Sequence, residues 1–218
     1  MEFRQVGPRD RNSPARILYL IEIYRPSGPI DCKGYMRIED QLYFAPGILF
    51  ADIDLRGDDL PRLISARLRG FYLEPAYYSA QKGHAFAAGL LVLAGVDALA
   101  RMQTGDGHVK RRYIKFARNN LPSFATAESA ERLYENFRNG LIHEGRIKLG
   151  AQFSLETPDT LMRLERIMII NPVRLADEVC RALDAYLAAL HRDAHARQRL
   201  SNSLIQDHDI DLRPNNTA

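Results

Sequence analysis

The sequence predicts a mainly α protein: a helical bundle that carries a β-hairpin before its last helix and follows a small β-containing N-terminal region. Three observations lead there. From Asp58 to Arg192 apolar residues recur mostly every three or four positions, the period of helices with one buried face. Between Pro26 and Asp54, and again past Gly145, the pattern changes to short alternating or clustered runs punctuated by Gly and Pro, as in strands and turns. The 218 residues, 46% hydrophobic and 26% charged, suffice for one domain with a substantial core and a small appendage. The expected organisation is an α/β appendage over 1–57, a helical domain over 58–196 and a polar, frayed tail over 197–218.

Taken in order, Ser13 and Pro14 open "PARILYLIEIY", whose β-branched and aromatic content suits a helix or a strand equally. "YMRIE", "QLYF" and "ILFADID" then read as strands. Asp58 and Asp59 precede a helix whose apolar face is Leu60, Ile64, Leu68 and Phe71. After Pro75 a second helical stretch runs to about Met102, and its small residues Gly83, Ala87, Gly89, Ala94, Gly95 and Ala98 predict a place at the bundle centre. Its most apolar run, Ala85 to Ala100, contains Asp97 and is shorter than the roughly 20 residues a bilayer crossing needs, so it reads as a core helix.

"QTGDGH" breaks the chain. In "HVKRRYIKFARNN", Arg111, Lys115 and Arg118 share one helix face, with Val109, Tyr113 and Phe116 opposite. Thr126 caps the next helix, whose buried stripe is Ala130, Leu133, Tyr134, Phe137 and Leu141. Past Gly145, "AQFSLE" alternates with period two, and "TPDT" turns into "LMRLERIMII", which predicts a β-hairpin. Asn171 and Pro172 start a last helix with Leu175, Val179, Leu183, Tyr186, Leu187 and Leu190 as its stripe.

Several functions are excluded by what the chain lacks. No GxGxxG, P-loop lysine motif or GxSxG elbow occurs. Cys32 and Cys180 stand in no disulfide or zinc-ligand spacing, and the first residues have no apolar signal segment, so a reducing, cytoplasmic setting is expected. His143 and Glu144 begin like a zincin, but the second histidine is missing, position 147 being Ile. His191 and His195 read as a solvated pair, Asp207–Asp211 as a solvated tail, and His84 as a hydrogen-bonded core histidine. No cofactor and no metal are therefore expected. A net charge of +3 permits nucleic-acid binding; the stripe Arg111, Lys115 and Arg118 reads as a solvated face or, if the protein is a ribonuclease, as the surface that follows RNA phosphates.

That leaves "RNGLIHEG", Arg138 to Gly145. Cleaving RNA without a metal takes a base for the 2′-hydroxyl proton, an acid for the leaving 5′-oxygen and a cation for the phosphorane. Histidine and arginine supply these, because one titrates near neutrality and the other presents a permanently charged fork to phosphate oxygens. Asn139 and His143 are i, i+4, so the amide is expected to orient the imidazole. Arg138 falls roughly 140° around a regular helix from His143, at about 100° per residue. Its long side chain, a distortion at Gly140 or a second subunit could bring the two together. Alternatively, Gly140 and Gly145 simply end a helix whose negative pole favours His143.

"FRNGLIHEG", late in a helical domain, resembles the signature of the HEPN family: an arginine, a polar residue directly after it and a histidine a few residues on. The resemblance extends over about Asp58 to Arg192. It implies a HEPN-like bundle, a homodimer, and a metal-independent endoribonuclease of toxin–antitoxin or antiphage defence systems, with an antitoxin or defence-system protein as a further partner and no membrane. Some HEPN domains have instead lost activity and bind RNA, nucleotide or protein. By the resemblance Arg138 and His143 are the catalytic pair and Asn139 the polar positioning residue. HEPN toxins paired with a nucleotidyltransferase antitoxin often carry a tyrosine two residues after the histidine, where this chain has Gly145.

Overall fold

The structure, a computed structural model, describes Arg37, Ile38 and residues 41–105 and 107–208. The element expected at 14–24, and Cys32, lie outside the described residues. The fold is mainly helical, with two small sheets. The first is antiparallel, in the order β1 (Arg37–Ile38), β2 (Gln41–Ala45), β3 (Ile48–Leu49), and Gly47 makes its β2–β3 turn at φ 72°. Its Phe44, with Ala45 and Phe50, is buried in the same core as the helices. The border expected at residue 57 is thus no packing border, because the aromatic residues just before it complete the helical core.

A rod of α1 (Leu60–Leu68), a widened turn (Arg69–Leu73) and α2 (Glu74–Gln81) buries Leu60, Leu63, Ile64 and Leu68. Gly83, at φ 80°, then breaks the chain before α3 (Ala85–Thr104). The single stretch expected from Pro75 to Met102 is therefore two helices, because Gly83 takes a left-handed conformation that costs other residues far more. His84 is exposed at the start of α3 and is not the core histidine expected.

Helix α3 occupies the centre, packed against α2, α4 (Val109–Asn120) and α7 (Pro172–Arg192). Val92, Val96 and Leu99 are completely buried. Its small residues admit neighbours: the Phe153 ring lies over Gly89, and a Cβ on Gly95 would sit 3.2 Å from Tyr72 Cβ. At 20 residues α3 is longer than the run to Ala100 suggested, and by length and composition alone it is long and apolar enough to cross a bilayer. Here its buried side forms the bundle core.

After α4 and a short turn at Pro122–Phe124, Thr126 accepts from the Ser129 amide and caps α5 (Ala127–Arg132). A second widened turn (Leu133–Asn139) leads into α6 (Gly140–Glu144). The predicted stripe Ala130, Leu133, Tyr134, Phe137 and Leu141 is buried throughout. The second sheet has the order β4 (Gln152–Phe153), β6 (Ile167–Ile170), β5 (Leu161–Leu164). The hairpin turns at Glu165–Arg166, with Glu165 at φ 53°, while β4 joins β6 in parallel. The turn lies within "LMRLERIMII" and not at "TPDT", since pairing Leu161 with Ile170 lets Met168 and Ile170 enter the core.

Asn171 caps α7 through the amides of Val173 and Arg174. Asp193 then accepts from Ala196 and starts α8 (Ala194–His208), so residues 197–208 are helical and not frayed. Leu200 and Leu204, one turn apart, bury against the core and hold α8 in place. The break at Asp193 also puts His191 and His195 on different helices, both exposed.

Two substitutions test this packing. Phe137 is completely buried beside Phe153, with ring centroids 5.2 Å apart, and Phe137→Ala is expected to cost about 3–5 kcal/mol. The buried Tyr113 hydroxyl has no hydrogen-bond partner among the described residues, and burial, aided by the Asp97 charge, pushes this phenol well above its ordinary value. Tyr113→Phe removes an unsatisfied group and should therefore stabilise by about 1 kcal/mol; urea unfolding of both variants checks the two signs together.

Candidate functional site

Arg138 and His143 meet within one chain. In a regular helix they diverge, but Arg138 lies in the widened Leu133–Asn139 turn. There the hydrogen bonding runs i→i+5, while Asn139 and Gly140, which link it to His143, keep ordinary helical angles, so the length of the arginine side chain spans the gap. Arg138 Nη1 lies 3.3 Å from His143 Nε2. Of the three routes open in the sequence, the long side chain is the one found, with the widened turn lying immediately before Gly140.

The guanidinium is held from behind. Its Nε and Nη2 donate to Asp97 Oδ2, on α3, at 3.1 and 2.5 Å. Asp97 Oδ1 accepts from Arg112 Nη2, on α4, at 2.9 Å. The side chains of Asp97, Arg112 and Arg138 are only 18%, 11% and 12% exposed, so the trio is largely desolvated and its attraction less screened than that of a surface ion pair. Two guanidinium groups on one carboxylate leave the trio with net positive charge. Arg138 also lies over the Tyr134 ring, 5.7 Å from its centroid.

These groups face a cleft of about 290 Å³ whose walls include Tyr72, Asp97, Arg101, Arg112, Arg138 and Ile142. Both widened turns contribute to it, one delivering Tyr72 and the other Arg138. His143 is exposed and does not line the cleft itself, meeting it through Arg138 and the neighbouring Ile142. Glu144, next in the chain, is drawn to Lys148 and Arg146, and the Lys148 ammonium first of all holds its carboxyl below the ordinary value.

Asn139 does not orient the imidazole. Its amide donates to Glu135 Oε2 at 3.3 Å, and Glu135 Oε1 also accepts from Lys110 at 2.7 Å. Asn139 and His143 keep the i, i+4 spacing of an ordinary helix, but Glu135, one turn earlier, takes the amide. Gly140 likewise does not end the helix, having ordinary helical angles (φ −62°, ψ −46°). Its role is close approach, because a Cβ there would lie 2.5 Å from the Arg146 carbonyl oxygen. The chain folds back over it, with Arg146 N donating to Gly140 O at 3.2 Å and Lys148 N to Asn136 O at 2.9 Å. Gly145, at φ 65°, is the residue that ends the helix.

The stripe Arg111, Lys115 and Arg118 is exposed on α4, along a shallow groove of about 610 Å³. It does not line the cleft. The same helix nevertheless joins the two regions, since Lys110 borders the groove and binds Glu135, while Arg112 reaches the cleft.

Sequence reasoning missed Asp97, Arg112 and Tyr72. For Asp97 a signal existed, because it is the sole charge in the apolar run Ala85–Ala100 and a charge there needs a partner. Arg112 was obscured by its neighbour Arg111, and nothing in the sequence marks Tyr72. Among the described residues, no three His, Cys, Asp or Glu side chains converge as metal ligands. Comparison of the chain with protein-family models, curated proteins and solved structures finds no match.

The close approach at Gly140 has a direct test. Gly140→Ala should force the Arg146 carbonyl away and destabilise the fold by about 1–3 kcal/mol. It should also loosen the 145–148 segment, read as faster amide exchange at Lys148.

Proposed function

We propose that the protein is a metal-independent endoribonuclease of HEPN type, acting on single-stranded or looped RNA in a toxin or antiphage defence system. The observation that carries this reading is the 3.3 Å approach of Arg138 Nη1 to His143 Nε2 at the edge of a positively charged cleft. Arginine is at hand for phosphoryl charge and imidazole for proton transfer, within one phosphodiester of each other.

The chemistry runs as follows. The unprotonated Nε2 of His143 takes the proton from the 2′-hydroxyl, and O2′ forms a bond to phosphorus. Arg138 meets the charge on the non-bridging oxygens. The P–O5′ bond then breaks, and O5′ receives a proton from the imidazolium so formed, or from the His143 of a second subunit in a dimer. The products are a 2′,3′-cyclic phosphate and a 5′-hydroxyl. Because guanidinium only donates, the resting contact occupies the Nε2 lone pair. An incoming phosphate has to draw Nη1 away before the base is free.

A second reading, a catalytically silent HEPN module that binds RNA, nucleotide or a protein partner, is favoured by the Asp97 ion pairs, which already satisfy much of the guanidinium. The two readings differ in turnover. The ribonuclease reading expects labelled RNA to be cut in the presence of EDTA, and a strand with 2′-deoxyribose at the cut position to survive. His143→Ala should slow cleavage by about 10²–10⁴-fold and Arg138→Ala by about 10²–10³-fold, with both variants folded. Robust DNA cutting, or abolition by EDTA, rejects the mechanism.

The outward stripe on α4 is the RNA track in this proposal. Changing Arg111, Lys115 and Arg118 together to Gln should weaken single-strand binding and lower the slope of log K against log salt by about 2. A slope unchanged in the triple variant removes the stripe from the RNA interface.

A further inference from the structure

We propose that Asp97 is the positioning residue of this site: it orients the Arg138 guanidinium and, through it, sets which nitrogen of His143 carries the proton. The proposal rests on the ribonuclease reading for its effect on rate, but its geometric core does not. A guanidinium has an Nε/Nη2 edge and a second edge ending at Nη1. Asp97 Oδ2 takes both hydrogen bonds of the first edge, at 3.1 and 2.5 Å, which leaves Nη1 directed at His143.

Asp97 is itself held. Arg112 occupies its other oxygen at 2.9 Å, and the carboxylate sits on the central helix α3 with little freedom to turn. One carboxylate therefore fixes the relative placement of α3, α4 and the widened turn that bears the motif. A flexible arginine would otherwise choose among many rotamers. Because Nη1 can only donate, the bond to Nε2 requires a lone pair there and holds the neutral imidazole as its Nδ1–H tautomer. That leaves Nε2 as the atom ready to accept the 2′-hydroxyl proton once phosphate displaces Nη1. Asp97 touches neither substrate nor imidazole in this scheme and acts only through Arg138.

The experiment compares wild type, Asp97→Asn, Asp97→Glu and Arg138→Gln. Imidazole nitrogen NMR of His143, recorded well above the ordinary imidazole titration range, reads the tautomer, and RNA cleavage kinetics read the rate. Wild type should show the Nδ1–H form, Arg138→Gln should lose that bias, and Asp97→Asn should lose it too although Arg138 is present. In kinetics, Asp97→Asn should lower kcat by about 100-fold through misplacement of Arg138, with KM within about twofold because both arginines keep their charge. Asp97→Glu, which restores the charge, should recover the tautomer and part of kcat.

A folded Asp97→Asn protein with the wild-type tautomer overturns the proposal. If Asp97→Asn does not fold, Asp97→Glu decides: a tautomer indistinguishable from that of Arg138→Gln overturns it, and retention of the Nδ1–H form supports it. Failure of the ribonuclease reading looks different. Wild type then does not cut RNA, while the tautomer series still tests the role of Asp97.

Discussion

A carboxylate in the middle of the most apolar helix is the constraint around which this structure is arranged. Left unpaired, Asp97 would carry a desolvation cost that no amount of neighbouring leucine could offset. Two arginines from two other elements answer it, Arg112 from α4 and Arg138 from the widened turn before α6. Such buried pairs add little net stability relative to apolar packing, since desolvation cancels most of the Coulomb gain. Their consequence is geometric: closing both ion pairs favours one relative placement of α3, α4 and the motif.

The widened turns supply the second part of the arrangement. A regular helix from Leu133 to Glu144 would keep the apolar stripe but point Arg138 away from His143. The i→i+5 turn ends before Gly140, and the long Arg138 side chain reaches across to His143 while Leu133, Phe137 and Leu141 stay buried. The companion turn at Arg69–Leu73 places Tyr72 on the same cleft and against Gly95, where an added Cβ would come within 3.2 Å of the Tyr72 Cβ. Around the back, Phe153 of the small sheet packs on Phe137 and over Gly89, so the β insertion braces the helix that carries the motif. The insertion thus acts on the site through packing.

The charge on α4 divides into two kinds. Arg112 lies between the apolar and basic faces and turns inward, where it is ion-paired and largely buried; Arg111, Lys115 and Arg118 stay outside, along an open groove. In the proposed ribonuclease the inner charge would serve chemistry at one phosphate, and the distributed outer charge would follow a backbone. A single amphipathic helix can serve both needs because its faces are about 100° apart per residue.

By itself the sequence determined the periodic properties of this protein: helical class, the buried stripe from Ala130 to Leu141, the outward basic face of α4, the caps at Thr126 and Asn171, and the short motif with its arginine and histidine. These follow from local spacing, which hydrophobic burial and capping read directly. Tertiary structure alone decided the rest. The hold of Asp97 on one guanidinium edge directs Arg138 Nη1 at His143, and Glu135 takes the Asn139 amide; Gly140 became a close-approach glycine because the 146–148 segment returns over it; Asp97 became the hub because two arginines distant in sequence reach it. Each of these depends on what lies across the fold, and a one-dimensional pattern contains no distance between Asp97 and Arg138.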